Sequence, residues 1–110
     1  MEEIPSLAQE VTQLHADICS ALADPRRILL LYTIADKSLN VSDLANQVGM
    51  SQPAASRHLK ILRERGLVQA VRQGASMEYH LTDHRLIEAL DLLRSVLRDR
   101  LVYRASLVEE

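Results

Sequence analysis

Phenylalanine and tryptophan are absent from the 110 residues, and tyrosine occurs only three times. Single-stranded nucleic acids are usually held on aromatic side chains that stack against the bases, so RNA and single-stranded DNA are poor partners for this chain. Cysteine occurs once, at Cys19, which excludes an intrachain disulfide and a CxxC metal cluster. Three prolines and three glycines are all that interrupt the chain, and no stretch rich in Pro, Gly or Ser divides it, so residues 1–110 are expected to form a single domain. No apolar run approaches the length of a membrane span. The acidic start "MEEIPSLAQEV" lacks the basic head and apolar stretch of a secretion signal, which points to a cytoplasmic protein without membrane contact. A glycine-rich phosphate loop, a Ser-His-Asp spacing and a paired-carboxylate cleft are missing as well, which leaves an enzyme as the weakest class.

What is present is an ordinary soluble balance, 47% hydrophobic and 25% charged, with a net charge of −2. The charge is unevenly placed. From Ser51 to His80 five cations (Arg57, Lys60, Arg63, Arg65, Arg72) face two carboxylates, leaving +3 there and −5 on the other eighty residues. A basic segment within an acidic chain can hold phosphates without making the whole surface sticky.

Hydrophobic spacing supplies the elements. Leu7, Val11, Leu14, Ile18 and Leu22 recur at three and four, which predicts an amphipathic helix over 7–22. Asp24 and Pro25 open a second, strongly apolar helix to about Ala35. A short helix from about Ser42 to Val48, a turn at "VGMS" and a longer helix after Ser51 make a helix-turn-helix over 42–65, ended by Gly66. Residues 67–82 read as a hairpin in which Met77, Tyr79 and Leu81 alternate with Glu78, His80 and Thr82. Thr82 or Asp83 then caps a last helix over 83–107 with a stripe of Leu86, Leu90, Leu93 and Leu97, while residues 1–5 and 108–110 are expected to be flexible. The fold class is therefore mainly α with a small β part, in the order α-α-α-α-β-β-α. A core is expected around Leu29, Leu31, Leu44, Leu59 and Leu62. Both end helices are more apolar than that core requires. They are expected to dimerise the chain; packing on each other within one chain is the alternative.

A helix-turn-helix followed by a hairpin is the winged-helix plan, in which the second helix of the motif enters the major groove of double-stranded DNA. At 100° per residue Ala55, Leu59 and Leu62 fall on one side and Gln52, Pro53, Ser56, Arg57 and Lys60 on the other. Gln can pair with an adenine edge, Arg with guanine or phosphate, Ser with either, and Lys supplies a point charge for phosphate. A solvated face that merely keeps the domain soluble is the plain alternative, but the turn, the hairpin and the charge segregation all favour DNA. At the hairpin tip Arg72 and Gln73 complete the candidate DNA-binding set.

"ADPRRILLLYTIA", "VSDLANQVGMSQPAASRHLKILRERGLV" and "RQGASMEYHLTD" together resemble the ArsR/SmtB family of bacterial metalloregulatory repressors, over about Ala23 to Leu93. The resemblance implies a dimeric winged helix that blocks transcription at an inverted repeat and releases it when an inducer binds. It also implies DNA contacts at Ser51, Gln52, Pro53, Ser56 and Arg57. The usual metal ligands are missing, however. Where many members carry Cys-Val-Cys-Asp, this chain has Asn40, Val41, Ser42 and Asp43; where zinc-type members carry their four ligands, it has Asp83, Arg85, Val96 and Asp99. Neither set makes a thiolate or tetrahedral site, so no cofactor is expected and the effector is unassigned. His15 and Cys19, four apart on the first helix, stay open as a sensing pair or as chance neighbours with Cys19 a packing residue. His80 and His84 are expected at the surface or at a cap. A docking module for an acidic protein partner remains the alternative to a DNA-binding regulator.

Overall fold

The computed structural model describes residues 4–109. The expected order is present, with one short strand added. Helix α1 (Leu7–Leu14) starts at Ser6, whose Oγ accepts the Gln9 amide at 3.2 Å while the Gln9 side chain accepts the Ser6 amide at 2.9 Å. This reciprocal cap satisfies two amides that the first turn would otherwise leave unpaired. The helix then passes through one π-helical turn, His15–Cys19, which the spacing of apolar residues did not show. Helix α2 (Pro25–Asp36) is capped by Asp24, whose carboxylate accepts the Arg26 amide at 2.9 Å.

Strand β1 (Leu39–Asn40) is the addition, and two residues are too few to show alternation in a sequence. Helix α3 (Val41–Val48) starts one residue earlier than expected, because Asn40 and not Ser42 lies before its first turn and accepts the Asp43 amide at 2.8 Å. Gly49, at φ 77°, adopts the left-handed conformation that lets the chain leave α3 and enter α4 (Gln52–Glu64) within three residues. Strands β2 (Val68–Gln73) and β3 (Ser76–Leu81) pair antiparallel from Val68↔Leu81 to Gln73↔Ser76, and β1 adds to the far side of β3, giving the order β1-β3-β2. Helix α5 (Arg85–Glu109) follows Asp83, which rather than Thr82 accepts the Arg85 amide, at 2.9 Å. It remains helical through 108 and 109, where flexibility was expected; residues 1–3 and 110 lie outside the described residues.

The core joins Leu30, Leu31 and Ile34 of α2, Leu44 of α3, Leu59 and Leu62 of α4, Val68 of β2 and Leu90 of α5. Leu29, placed in the core from the sequence, is half-exposed instead, and Leu30 takes its place. A run of four apolar residues from Ile28 to Leu31 covers every direction of the helix, so periodicity within it cannot identify the inward face.

The end helices do not cover each other. Helix α1 has no buried residue, and Leu7, Val11 and Leu14 lie open. On α5, Leu93, Val96, Leu97, Leu101 and Val102 are likewise open. The radius of gyration is 17.0 Å and the principal extents are 59 × 46 × 21 Å, against about 13 Å for a compact chain of this size. The accessible surface is 8067 Å², where a compact monomer would show about 6,100 Å². The apolar stripes seen in the sequence are thus a face without cover inside the chain.

Because Leu31 is fully buried, Leu31→Ala should lower stability by about 2–5 kcal/mol. Urea unfolding at one fixed protein concentration measures this, and a loss below about 1 kcal/mol would place Leu31 outside the core.

Candidate nucleic-acid interface

Helix α4 is divided lengthwise. Ala55, His58, Leu59 and Leu62 are buried, at spacings of three, one and three, while Gln52, Pro53, Ser56, Arg57 and Lys60 are exposed along the opposite side. Ser51 is exposed too, and its Oγ accepts the Ala54 amide at 3.2 Å. That hydroxyl caps the helix and still carries a hydrogen that an outside acceptor can take. Gln52 and Pro53 form the first turn, where the positive end of the helix dipole attracts phosphate.

The wing comes close to this helix. Gln52 shares a cleft with Ser42 of α3 and with Ser76 and Tyr79 of β3, so the start of α4, the start of α3 and the second wing strand form one concave surface. Arg72 and Gln73 are exposed beside the two-residue turn, which Gly74 makes at φ 63°.

Ion pairing accounts for some of the cations and leaves those of this face without partners. Arg26 and Arg27 face Asp24, Arg65 faces Asp17, Arg85 faces Asp83 and Arg94 faces Asp91. Among the described residues, Arg57, Lys60, Arg63 and Arg72 are in no ion pair. These four cations belong to α4 and the wing, where four of the five cations of the +3 segment thus stand without a carboxylate; Lys37, Arg98, Arg100 and Arg104 are likewise in no ion pair.

His58 is the residue of this helix whose position the sequence reading missed. It lies three residues after Ala55 and four before Leu62, on the core stripe, and that spacing was the signal. Arg27 Nη1 lies 3.4 Å from His58 Nδ1. Arginine only donates, so Nδ1 accepts and the ring proton sits on Nε2, which faces Asp24 Oδ2 at 4.0 Å. Burial lowers the His58 pKa, and the nearby Arg26, Arg27 and Arg57 lower it further against the opposing pull of Asp24. The hydrogen bonds from Arg26 hold Asp24 itself at about 2.

The sensing candidates are placed differently. His15 and Cys19 begin and end the π-helical turn and are both exposed, so Cys19 is not a packing residue within this chain. Among the described residues no three His, Cys, Asp or Glu side chains gather as a metal site would need. At the family's usual ligand positions, Asn40 uses its side-chain oxygen to cap α3, and Asp83 is paired with Arg85 at 2.7 Å. His84 is exposed as expected. His80 is half-buried, and its Nε2 is enclosed without a partner. It stands on β3, the central strand, where neighbours on both sides wall in a side chain on either face.

The family model described as bacterial regulatory protein, arsR family, matches residues 24–70. The chain is 31% identical over 99 residues to the nodulation protein NolR of Rhizobium meliloti, covering 90% of this chain and 81% of that one. It is 30% identical over 95 residues to a biofilm growth-associated repressor of Xylella fastidiosa, covering 86% and 80%. Among solved structures, the homodimeric winged helix-turn-helix DNA-binding domain of a possible ArsR-family regulator from Mycobacterium bovis superposes with a TM-score of 0.77 at 26% identity, covering 94% of this chain and 95% of that one.

The buried, neutral His58 has a consequence for stability. Its folded pKa lies below the ordinary value of 6.5, so as pH falls through 6.5 the unfolded chain takes up a proton that the folded chain refuses. The His58 contribution is whole above 6.5 and is lost progressively below it. The urea midpoint should therefore drop from about pH 7.5 to about pH 5.5, and drop less in His58→Gln, which keeps an acceptor for Arg27 but cannot titrate. Equal drops in the two proteins would mean that His58 is not held neutral.

Proposed function

The chain belongs to the ArsR family of bacterial regulatory proteins, which are DNA-binding transcriptional regulators and not enzymes, and on that premise we propose that it is a cytoplasmic, homodimeric repressor that reads an inverted repeat with α4 and the wing. The observation that carries this reading is the exposed side of α4. Gln52, Ser56 and Arg57 have the chemistry to read base edges, while Lys60, Arg63 and Arg72 lack carboxylate partners and stand ready for phosphates. Ser51, Pro53 and Gln73 border the same surface.

Several features support the dimer. The open apolar faces of α1 and α5 need cover, the accessible surface of 8067 Å² exceeds that of a compact monomer by about 2,000 Å², which over two chains is on the scale of an obligate homodimer interface, and the related Mycobacterium bovis domain is described as homodimeric. Two α4 helices related by a two-fold axis then meet successive major grooves about 34 Å apart. The name of the Xylella fastidiosa relative supports repression as the outcome. The effector is not one of the family's usual metals held at the usual positions, because Asn40 and Asp83 are occupied in helix caps and Arg85 and Val96 are not ligands.

Two substitutions separate positioning from reading. Lys60→Ala should weaken binding to all duplexes alike and reduce the slope of log affinity against log salt by about 1, whereas Gln52→Ala should flatten sequence preference at about one base pair per half-site. Fluorescence anisotropy on duplexes over a salt series reads both. If both variants match the parent, α4 is not the reading helix.

A further inference from the structure

Helix α1 touches the rest of the chain mainly through its C-terminal end. Ala21 is buried, and Ile18 and Leu22 pack on the core, whereas nothing from Leu7 to Leu14 is buried. The π-helical turn His15–Cys19 separates the free half from the anchored end. It shifts backbone pairing by one residue, so that the Ser20 amide reaches the His15 carbonyl.

Two arginines grip the carbonyls of this region. Arg65 Nη1 donates to the Ala16 carbonyl at 3.0 Å and faces the Asp17 carboxylate at 3.7 Å. The same Ala16 carbonyl also accepts the Ser20 hydroxyl. Arg27 donates from Nε to the Ala21 carbonyl at 2.6 Å and from Nη2 to the Ser20 carbonyl at 3.3 Å. Both arginines lead to α4. Arg65 is the residue that ends that helix, and Arg27 meets His58 within it. Helix α1 is thus tied to α4 at the end of the reading helix by Arg65 and at its middle by Arg27.

We propose that Arg65 is a positioning residue for DNA recognition: by holding the π-turn at Ala16 and Asp17, it fixes the angle between α4 and the free half of α1, and hence the separation of the two reading helices in a dimer. The inference rests on the dimeric reading above and names a determinant within it. Arg65 points away from the exposed Gln52–Lys60 side and toward α1, so its effect on DNA is indirect. It is partly exposed and its ion pair with Asp17 is a surface pair, a kind that contributes little to stability. Removing it leaves the fold in place while freeing an angle. A change of one base pair between half-sites rotates one of them by about 34° and moves it about 3.4 Å, so a freed angle is visible as tolerance of spacing.

The test is selection of duplex sites from a random-sequence pool by the parent, Arg65→Ala and Arg65→Lys, followed by affinity measurements on the selected repeat with its spacing changed by one base pair and on a single half-site. The parent should select an inverted repeat of fixed spacing and lose about fivefold or more in affinity on the altered spacing. Arg65→Ala should select the same half-site, bind it as the parent does, unfold at the parent's urea midpoint, and distinguish the two spacings by less than about twofold. Arg65→Lys, which retains a charge and a donor, should recover most of the discrimination. Parent-like discrimination by Arg65→Ala would overturn the proposal. So would an equal loss on the half-site, because Arg65 would then touch DNA itself. A parent that binds duplex but selects no inverted repeat would instead refute the dimeric operator reading, and the inference with it.

Discussion

Burial of Ala55, Leu59 and Leu62 against Leu30, Leu31 and Leu44 is the interaction on which the rest of this structure depends. These side chains are almost wholly removed from water. They hold a thirteen-residue helix on one side only, which is what allows its other side to be polar, cationic and open. A helix of this length would be marginal alone in water. Its rigidity therefore comes from the core and not from its own hydrogen bonds. The wing depends on the same contact, because Leu67 and Val68 enter the core directly after Gly66 and set the direction in which β2 leaves.

The sequence made much of this legible, and where it failed the reasons are local. The division of α4 could be read because its polar and apolar residues alternate at 3.6-residue spacing without ambiguity. The cap at Asp24–Pro25 and the turn at Gly49 could be read because each uses a residue type with a specific backbone role. Helix α2 was misread at Leu29 because four consecutive apolar residues carry no phase. Strand β1 is held by pairing with Tyr79 and Glu78, forty residues further along the chain, and such a partner leaves no trace in two residues. The π-turn meets side-chain donors that reach Ala16 and Ser20 from the end of α4 and from α2, and those contacts cannot be read from the spacing within α1. For His58 the phase was available and its polarity concealed it, since a histidine on an apolar stripe needs a donor such as Arg27 to become a core residue.

The candidate DNA face shows the same division. Which residues are exposed follows from the helix phase. Which cations are free does not, because a carboxylate such as Asp17, which faces Arg65, sits on another element. Only the folded chain separates Arg27 and Arg65, which bridge elements, from Arg57, Lys60, Arg63 and Arg72, which have no carboxylate partner.

That separation also explains how an acidic protein can bind an acidic polymer. The fifty residues before the basic segment carry −4, so an approach through that part of the chain meets repulsion over roughly a Debye length, about 8 Å at physiological salt. The repulsion suppresses unproductive encounters, so the field selects orientation before any base is read. A uniformly basic surface would gain affinity for every duplex and lose that discrimination. The negative net charge is therefore compatible with DNA recognition.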